Sequence, residues 1–238
     1  MLTPIEQNRC ATALAGHRAA IFLRFVRTKD LETTDKIVAY LKDTYQPDAI
    51  IAYGSFADGS ANKNSDFDAL VIADSVRMHD SSVIDSIVLD VFIYPLETFQ
   101  SEFDPEKFVQ VWNGKIILDT EGIAARVQKR VLDYIAHIPQ KTEEEIRQEV
   151  SWCEKMLSRT IREDAEGYYR WHWVLFDSRS EIYFDVKGLY YYGPKKALHF
   201  LEQTDSDSFQ IYTKALREFK RDCLEEWISH LKHISITV

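Results

Sequence analysis

The chain has 238 residues, 45% of them hydrophobic and 28% charged, with a formal net charge of -9. That is enough chain to bury a full core in one large or two small domains, and it holds no run of about 18 apolar residues, so no membrane span is expected. The acidity is uneven, with 11 Lys and Arg against 18 Asp and Glu over residues 1–120, net -7, and net -2 beyond them, which argues against a reader of long nucleic acid, whose affinity comes from counterions released by a basic surface.

Taken in chain order, the opening Met1-Leu2-Thr3-Pro4 lacks a basic segment followed by an apolar core, so no secretory signal is expected. The three cysteines, Cys10, Cys153 and Cys223, are far apart and without metal-ligand spacing. They are expected as reduced thiols of a cytoplasmic protein. Helices are predicted over residues 4–27 and 33–45, the second with Ile37, Tyr40, Leu41 and Tyr45 at helical spacing. Residues 48–53 are a short apolar run of strand length ending at Gly54, where a strand turns sharply and lets backbone approach a ligand. Gly54 and Ser55 offer amide and hydroxyl donors to an anion at the start of a following helical turn.

Asp66 to Ile72 reads as the next strand, with Asp66, Asp68 and Leu70 on one face. At a rise of about 3.3 Å per residue the two acids sit roughly 7 Å apart along the chain, which suits a pair of divalent cations about 3.5 to 4 Å apart. Residues 86–94 form a β-prone run broken by a single acid, Asp90. Should that strand pair beside the Asp66 strand, Asp90 completes a three-carboxylate cage for hard cations. The alternative is that Asp66 and Asp68 are turn acids and Asp90 guards an edge strand.

Pro95 opens a helical turn, residues 116–118 are a short strand, and a helix runs from Ile123, with Val127, Val131, Tyr134 and Ile138 on one face, until Pro139 stops it. Thr142 and Glu145 have the spacing of a capping box. A helical domain is expected from there, with helices over residues 143–164, 167–187, 194–203 and 208–232. Its aromatic cluster, Tyr168, Tyr169, Trp171, Trp173, Phe176, Tyr183, Phe184 and Tyr190 to Tyr192, is at helical spacing and expected mostly in the core. His172, between two tryptophans, is expected as a hydrogen-bonded structural group, the alternative being a general base. Pro194 starts a helix and places Lys195 in its first turn, where a cation is unfavourable unless an anion is near, the alternative being solvated lysines on a helix end.

The pattern Gly54-Ser55, ten residues, Asp66-x-Asp68, then Asp90 in a later strand resembles the nucleotidyltransferase superfamily of DNA polymerase beta, and within it the small-molecule and aminoglycoside nucleotidyltransferases. Tyr191-Tyr192-Gly193-Pro194-Lys195 resembles a Tyr-x-Gly-Pro-Lys segment of the same relatives. The resemblance implies an α/β catalytic domain with a small mixed sheet, residues 1–140, followed by a helical substrate-binding domain, residues 141–238. It implies a nucleoside triphosphate substrate, most simply ATP, with two magnesium ions, and transfer of a nucleotidyl group to a hydroxyl with loss of pyrophosphate. By position, Gly54 and Ser55 would hold the triphosphate together with Lys195, with Lys187 a second candidate. Asp66 and Asp68 would ligate the metals, and Asp90 would ligate one of them and help deprotonate the acceptor. Many relatives carry Arg or Lys where this chain has the acidic Asp58, and Lys63 in the same loop is a replacement cation or a solvated residue. An acidic catalytic half suits a small, even cationic, acceptor such as an aminoglycoside. Transfer to a protein or tRNA partner, and a non-catalytic nucleotide sensor on the same fold, remain as other classes; the acceptor, the base and the oligomeric state are not legible.

Overall fold

A computed structural model describes residues 28–162, 164–177, 180–218 and 220–236, so the helix expected over residues 4–27 lies outside the described residues. The chain divides into two compact units, the first ending at Ile138 and the second beginning at Pro139.

In the first unit, helix α1 (Thr28–Tyr45) precedes strand β1 (Ala49–Tyr53), a single helical turn α2 (Gly54–Asp58), and strand β2 (Phe67–Ala73). Two short strands, β3 (Met78–Asp80) and β4 (Val83–Ile84), lead into the long strand β5 (Ile87–Pro95). After the turn α3 (Glu97–Gln100) and a 3-10 segment (Pro105–Val111) come β6 (Lys115–Asp119) and helix α4 (Ile123–His137). The six strands form a mixed sheet in the order β3-β5-β2-β1-β6, with β4 paired to β5. Only the β2–β5 pair is parallel among these pairings.

Alternation along the strands builds two apolar layers. Ile50, Ala52, Phe67, Ala69, Val71, Leu89, Val91 and Ile93 pack on one face against Ile37 and Leu41 of α1. Ile51, Leu70 and Ile72 face the other way, against Phe99, Phe108, Val111, Val127 and Val131. The Ile37 and Leu41 side chains are fully buried, and each contributes roughly 1.5–3 kcal/mol by leaving water.

Helix α1 starts at Thr28, five residues before the periodic signal. Pro95 closes β5 and the helical turn opens at Glu97, a shift of two residues. The β3–β4 excursion is new relative to the sequence reading. Its turn into β5 carries Asp85 and Ser86 at φ 52° and 70°, the left-handed pair of a primed hairpin turn without the glycine that normally marks one. Asp85 is held by Thr33, whose hydroxyl donates to it at 2.7 Å, and by Lys36 at 3.2 Å. Asp80 is 6% exposed and accepts from the Tyr45 hydroxyl and the Ser82 amide, each at 2.8 Å. Burial pushes the Asp80 carboxyl up, but its bonds from Ser82 and Tyr45 outweigh that and leave it below its ordinary range.

The second unit is helical: α5 (Glu143–Ser158) with a 3-10 turn (Arg159–Ile161), then α6 (Ala165–Asp177), α7 (Ser180–Val186), α8 (Pro194–Thr204), α9 (Ser206–Glu218) and α10 (Arg221–Ile236). The capping box is present: the Glu145 amide donates to Thr142 Oγ1 at 3.2 Å, and the Thr142 amide donates to Glu145 at 2.8 Å. Helix α5 stops at Ser158 and its last turn tightens, short of the expected 164.

The helix expected over residues 208–232 is two helices, α9 and α10, packed on each other. A straight helix would hold Tyr212 and Trp227 about 22 Å apart, at 1.5 Å per residue. Here their ring centroids are 4.6 Å apart and Trp227 is fully buried, so burial of both aromatics decides a break that no proline or glycine announces. Tyr183 and Phe184 are core residues as expected, whereas Tyr168 and Tyr169 are 65% and 66% exposed. The side chains of Trp171 and Phe176 lie outside the described residues. Cys153 and Cys223 are buried free thiols, and no helix among the described residues is long and apolar enough to cross a membrane. Trp227→Ala should lower the stability of this unit by about 3–5 kcal/mol, the range for deleting a buried large aromatic; the helical circular-dichroism signal followed in urea checks it, and a loss below about 1 kcal/mol would contradict the packing described.

Candidate active site

The site grows from the parallel pairing of β2 with β5. In that register Asp68 is the partner of Asp90, so two acids stand side by side and project from the same face. Asp66 lies one residue before β2 rather than within it. Its carboxylate still joins the other two, and ligand oxygens of Asp66, Asp68 and Asp90 all lie within 4.8 Å of one another. The 7 Å spacing along the backbone therefore closes up at the side-chain tips. Asp66 is exposed, while Asp68 and Asp90 are half-buried.

Gly54 borders this cluster. Its φ is 65°, and a Cβ built on it would fall 2.2 Å from Asp68 Oδ2. The glycine is thus needed twice, for its left-handed backbone and for the room it leaves the carboxylate. Gly54 and Ser55 are the first two residues of α2, which Gly59 closes by donating its amide to the Ser55 carbonyl at 3.0 Å.

Tyr53, the last residue of β1 and the strand partner of Asp68, is 8% exposed. Burial, followed by the charges of Asp68 and Asp90, pushes its hydroxyl above the usual phenol range, so it stays protonated beside the acids. It shares a hydrogen bond with the Gln110 side chain.

Asp58, the acid at a commonly basic position, holds its own loop: its Oδ1 accepts from the Ser60 amide at 3.0 Å and the Ser60 hydroxyl at 2.6 Å. Lys63 is exposed in the same loop. Lys195 is exposed at the second position of α8, where Pro194 starts the helix as expected; it and Lys187 belong to the second unit, whereas the three acids and the Gly54-Ser55 turn belong to the first. Lys187 lies 5.7 Å from the Tyr183 ring centroid. His172 is exposed on α6.

One residue of the site escaped the sequence reading. His79 on β3 meets Asp90 Oδ1 through its Nε2 at 2.7 Å. The signal was a lone histidine in a three-residue edge strand, too short for periodicity to reveal.

Three converging carboxylates repel one another, and an all-oxygen donor set is what hard divalent cations take. The residues present therefore fit a metal-binding role, with Asp66, Asp68 and Asp90 as its holders. The nucleotidyltransferase domain model matches residues 34–172, more than half of the chain. The chain belongs to the nucleotidyltransferase domain family. Its activity is accordingly of the nucleotidyl-transfer class, and the match runs past Ile138 into the second unit. Among solved structures the chain is similar to a nucleotidyltransferase-like protein from Exiguobacterium sibiricum 255-15, at 12% identity over 88% of this chain and 75% of that one, with a TM-score of 0.38. It is also similar to a toxin-antitoxin complex with AMP-PNP, at 21% identity over 49% of this chain and 97% of that one, with a TM-score of 0.31. No curated protein sequence matches it.

Gly54→Ala should push the Asp68 carboxylate out of the cluster, since a contact of 2.2 Å cannot be kept. Binding of manganese to the variant should weaken at least about tenfold, the scale on which displaced or disoriented ligands act, as read by electron paramagnetic resonance; unchanged affinity would show that Asp68 is not a ligand.

Proposed function

We propose that the protein transfers a nucleotidyl group, AMP from ATP with magnesium, to a hydroxyl of a small-molecule acceptor, with an aminoglycoside-like cation as one acceptor class. The observation that carries this reading is the convergence of Asp66, Asp68 and Asp90 to within 4.8 Å beside the Gly54 turn, in a chain of the nucleotidyltransferase family. The net charge of -7 on residues 1–120 supports a small or cationic acceptor over a nucleic acid.

In the reaction the acceptor oxygen attacks the α-phosphorus in line, the bond from that phosphorus to the bridging oxygen breaks, and pyrophosphate leaves. Asp66 and Asp68 would hold two magnesium ions and Asp90 one of them. Bound there, the ions supply charge neutralisation to the phosphates and the leaving group. Asp90 accepts the acceptor's proton, as a carboxylate within hydrogen-bond reach of a hydroxyl can. Gly54 and Ser55 present backbone and hydroxyl donors to the triphosphate. Protonated Tyr53 keeps a neutral, hydrogen-bonded wall behind the acids.

The acceptor is named by incubating the protein with ATP, magnesium and a mixture of metabolites and antibiotics, then looking by mass spectrometry for a compound heavier by one nucleotidyl unit. A labelled protein or tRNA in place of a small molecule would overturn the acceptor class. Asp66→Asn and Asp68→Asn should each fold and lose transfer by more than about a hundredfold, the scale of one strong transition-state contact; near-normal turnover in either would refute the metal role. ATP should raise the melting temperature clearly more with magnesium than with a chelator. Equal shifts would favour a nucleotide sensor. The assignment of Lys195 to the phosphates rests on the Tyr-x-Gly-Pro-Lys resemblance. Lys195→Ala should raise the KM for the nucleotide and Lys195→Arg should recover part of the loss, whereas an unchanged KM would remove Lys195 from the site.

A further inference from the structure

The His79–Asp90 pair is placed with more care than an edge strand needs. His79 pairs in the ladder with Phe92, two residues beyond Asp90, and reaches back diagonally to the acid on the same face of the sheet. Its ring lies against Phe92 with centroids 4.6 Å apart and planes inclined by 32°. The next residue, Asp80, points to the opposite face and is tied to Tyr45 of α1 and to Ser82. That tie fixes the three-residue strand that aims the imidazole.

Stability does not account for the pair. The two side chains are 45% and 39% exposed, and an ion pair so open to water contributes about 0–1 kcal/mol at most. Orientation of a ligand carboxylate is a much larger effect, since groups that hold a metal ligand are typically worth 10–100-fold in metal affinity or activity. An ionised carboxylate only accepts, so His79 Nε2 carries the hydrogen and donates to Oδ1.

We propose that His79 is the positioning residue of Asp90: it holds Oδ1 and fixes the carboxylate so that Oδ2 faces the Asp66–Asp68 pair. This rests on the reading of Asp90 as a metal-holding acid. His79 touches neither nucleotide nor acceptor. It removes the rotational freedom that an acid with two equivalent oxygens otherwise keeps, and it does so from a strand anchored both by its pairing with β5 and by the bonds of Asp80 to Tyr45 and Ser82.

The test uses manganese titrated into the full chain with α,β-methylene-ATP, a nucleotide that cannot react, and follows the bound ion by electron paramagnetic resonance. His79→Phe keeps the ring against Phe92 and deletes the donor, His79→Ala deletes both, and His79→Gln restores an amide donor at nearly the place of Nε2. His79→Phe and His79→Ala should weaken manganese about tenfold and alter the spectrum of the bound ion. His79→Gln should stay within about threefold of the parent. Asp90→Asn is the control. If it weakens manganese while His79→Phe binds as the parent does, the positioning role is overturned and the metal site stands. If Asp90→Asn, or the parent chain itself, shows no such binding, the reading of Asp90 fails and the role of His79 with it. A His79→Gln as weak as His79→Phe also overturns the proposal, because the restored donor would then have no effect.

Discussion

The register between β2 and β5 is the constraint on which the rest of the site depends. It puts Asp68 beside Asp90, and it is set by residues that never touch the site. Phe67, Ala69 and Val71 on β2 and Leu89, Val91 and Ile93 on β5 are at most 1% exposed, all on the face covered by Ile37 and Leu41. A slip of one residue would turn Asp90 into that apolar layer and bring three aliphatic side chains out. Burying a carboxylate there, unpaired, costs several kcal/mol, so the hydrophobic core selects the arrangement in which the acids face outward together.

Given that register, the neighbours of the acids follow. Gly54 must be a glycine, because Asp68 occupies the space its side chain would need. Tyr53 must stay protonated, because burial and two carboxylates oppose a phenolate. His79 reaches Asp90 because β3 pairs one ladder step along. The concentration of negative charge that results is unfavourable on its own, and a divalent cation held by the three carboxylates would relieve it.

Much of this was legible in the sequence, for identifiable reasons. Strands β1, β2 and β5 are runs of branched apolar residues whose length and flanks leave little choice, and the acids stand out because they interrupt them. The capping box at Thr142 and the proline start at Pro194 are local chemistry that tertiary structure had no cause to override. The excursion through β3 and β4 was not legible, because its strands have three and two residues and its left-handed turn uses Asp85 and Ser86, of which Asp85 is held by Thr33 and Lys36 of a distant helix. His79 was lost with it. The break between α9 and α10 was invisible for a related reason: contact between Tyr212 and Trp227 decides it, and no local sequence does.

The claim at the centre is that Asp66, Asp68 and Asp90 together hold the ions that accompany the nucleotide. Anomalous diffraction from crystals of the protein grown with manganese and α,β-methylene-ATP tests it most directly. The account predicts manganese peaks at bonding distance, about 2.0–2.6 Å, from carboxylate oxygens of all three residues, with the triphosphate against the Gly54-Ser55 turn. Manganese peaks bound elsewhere, or a nucleotide seated away from these carboxylates, would contradict it.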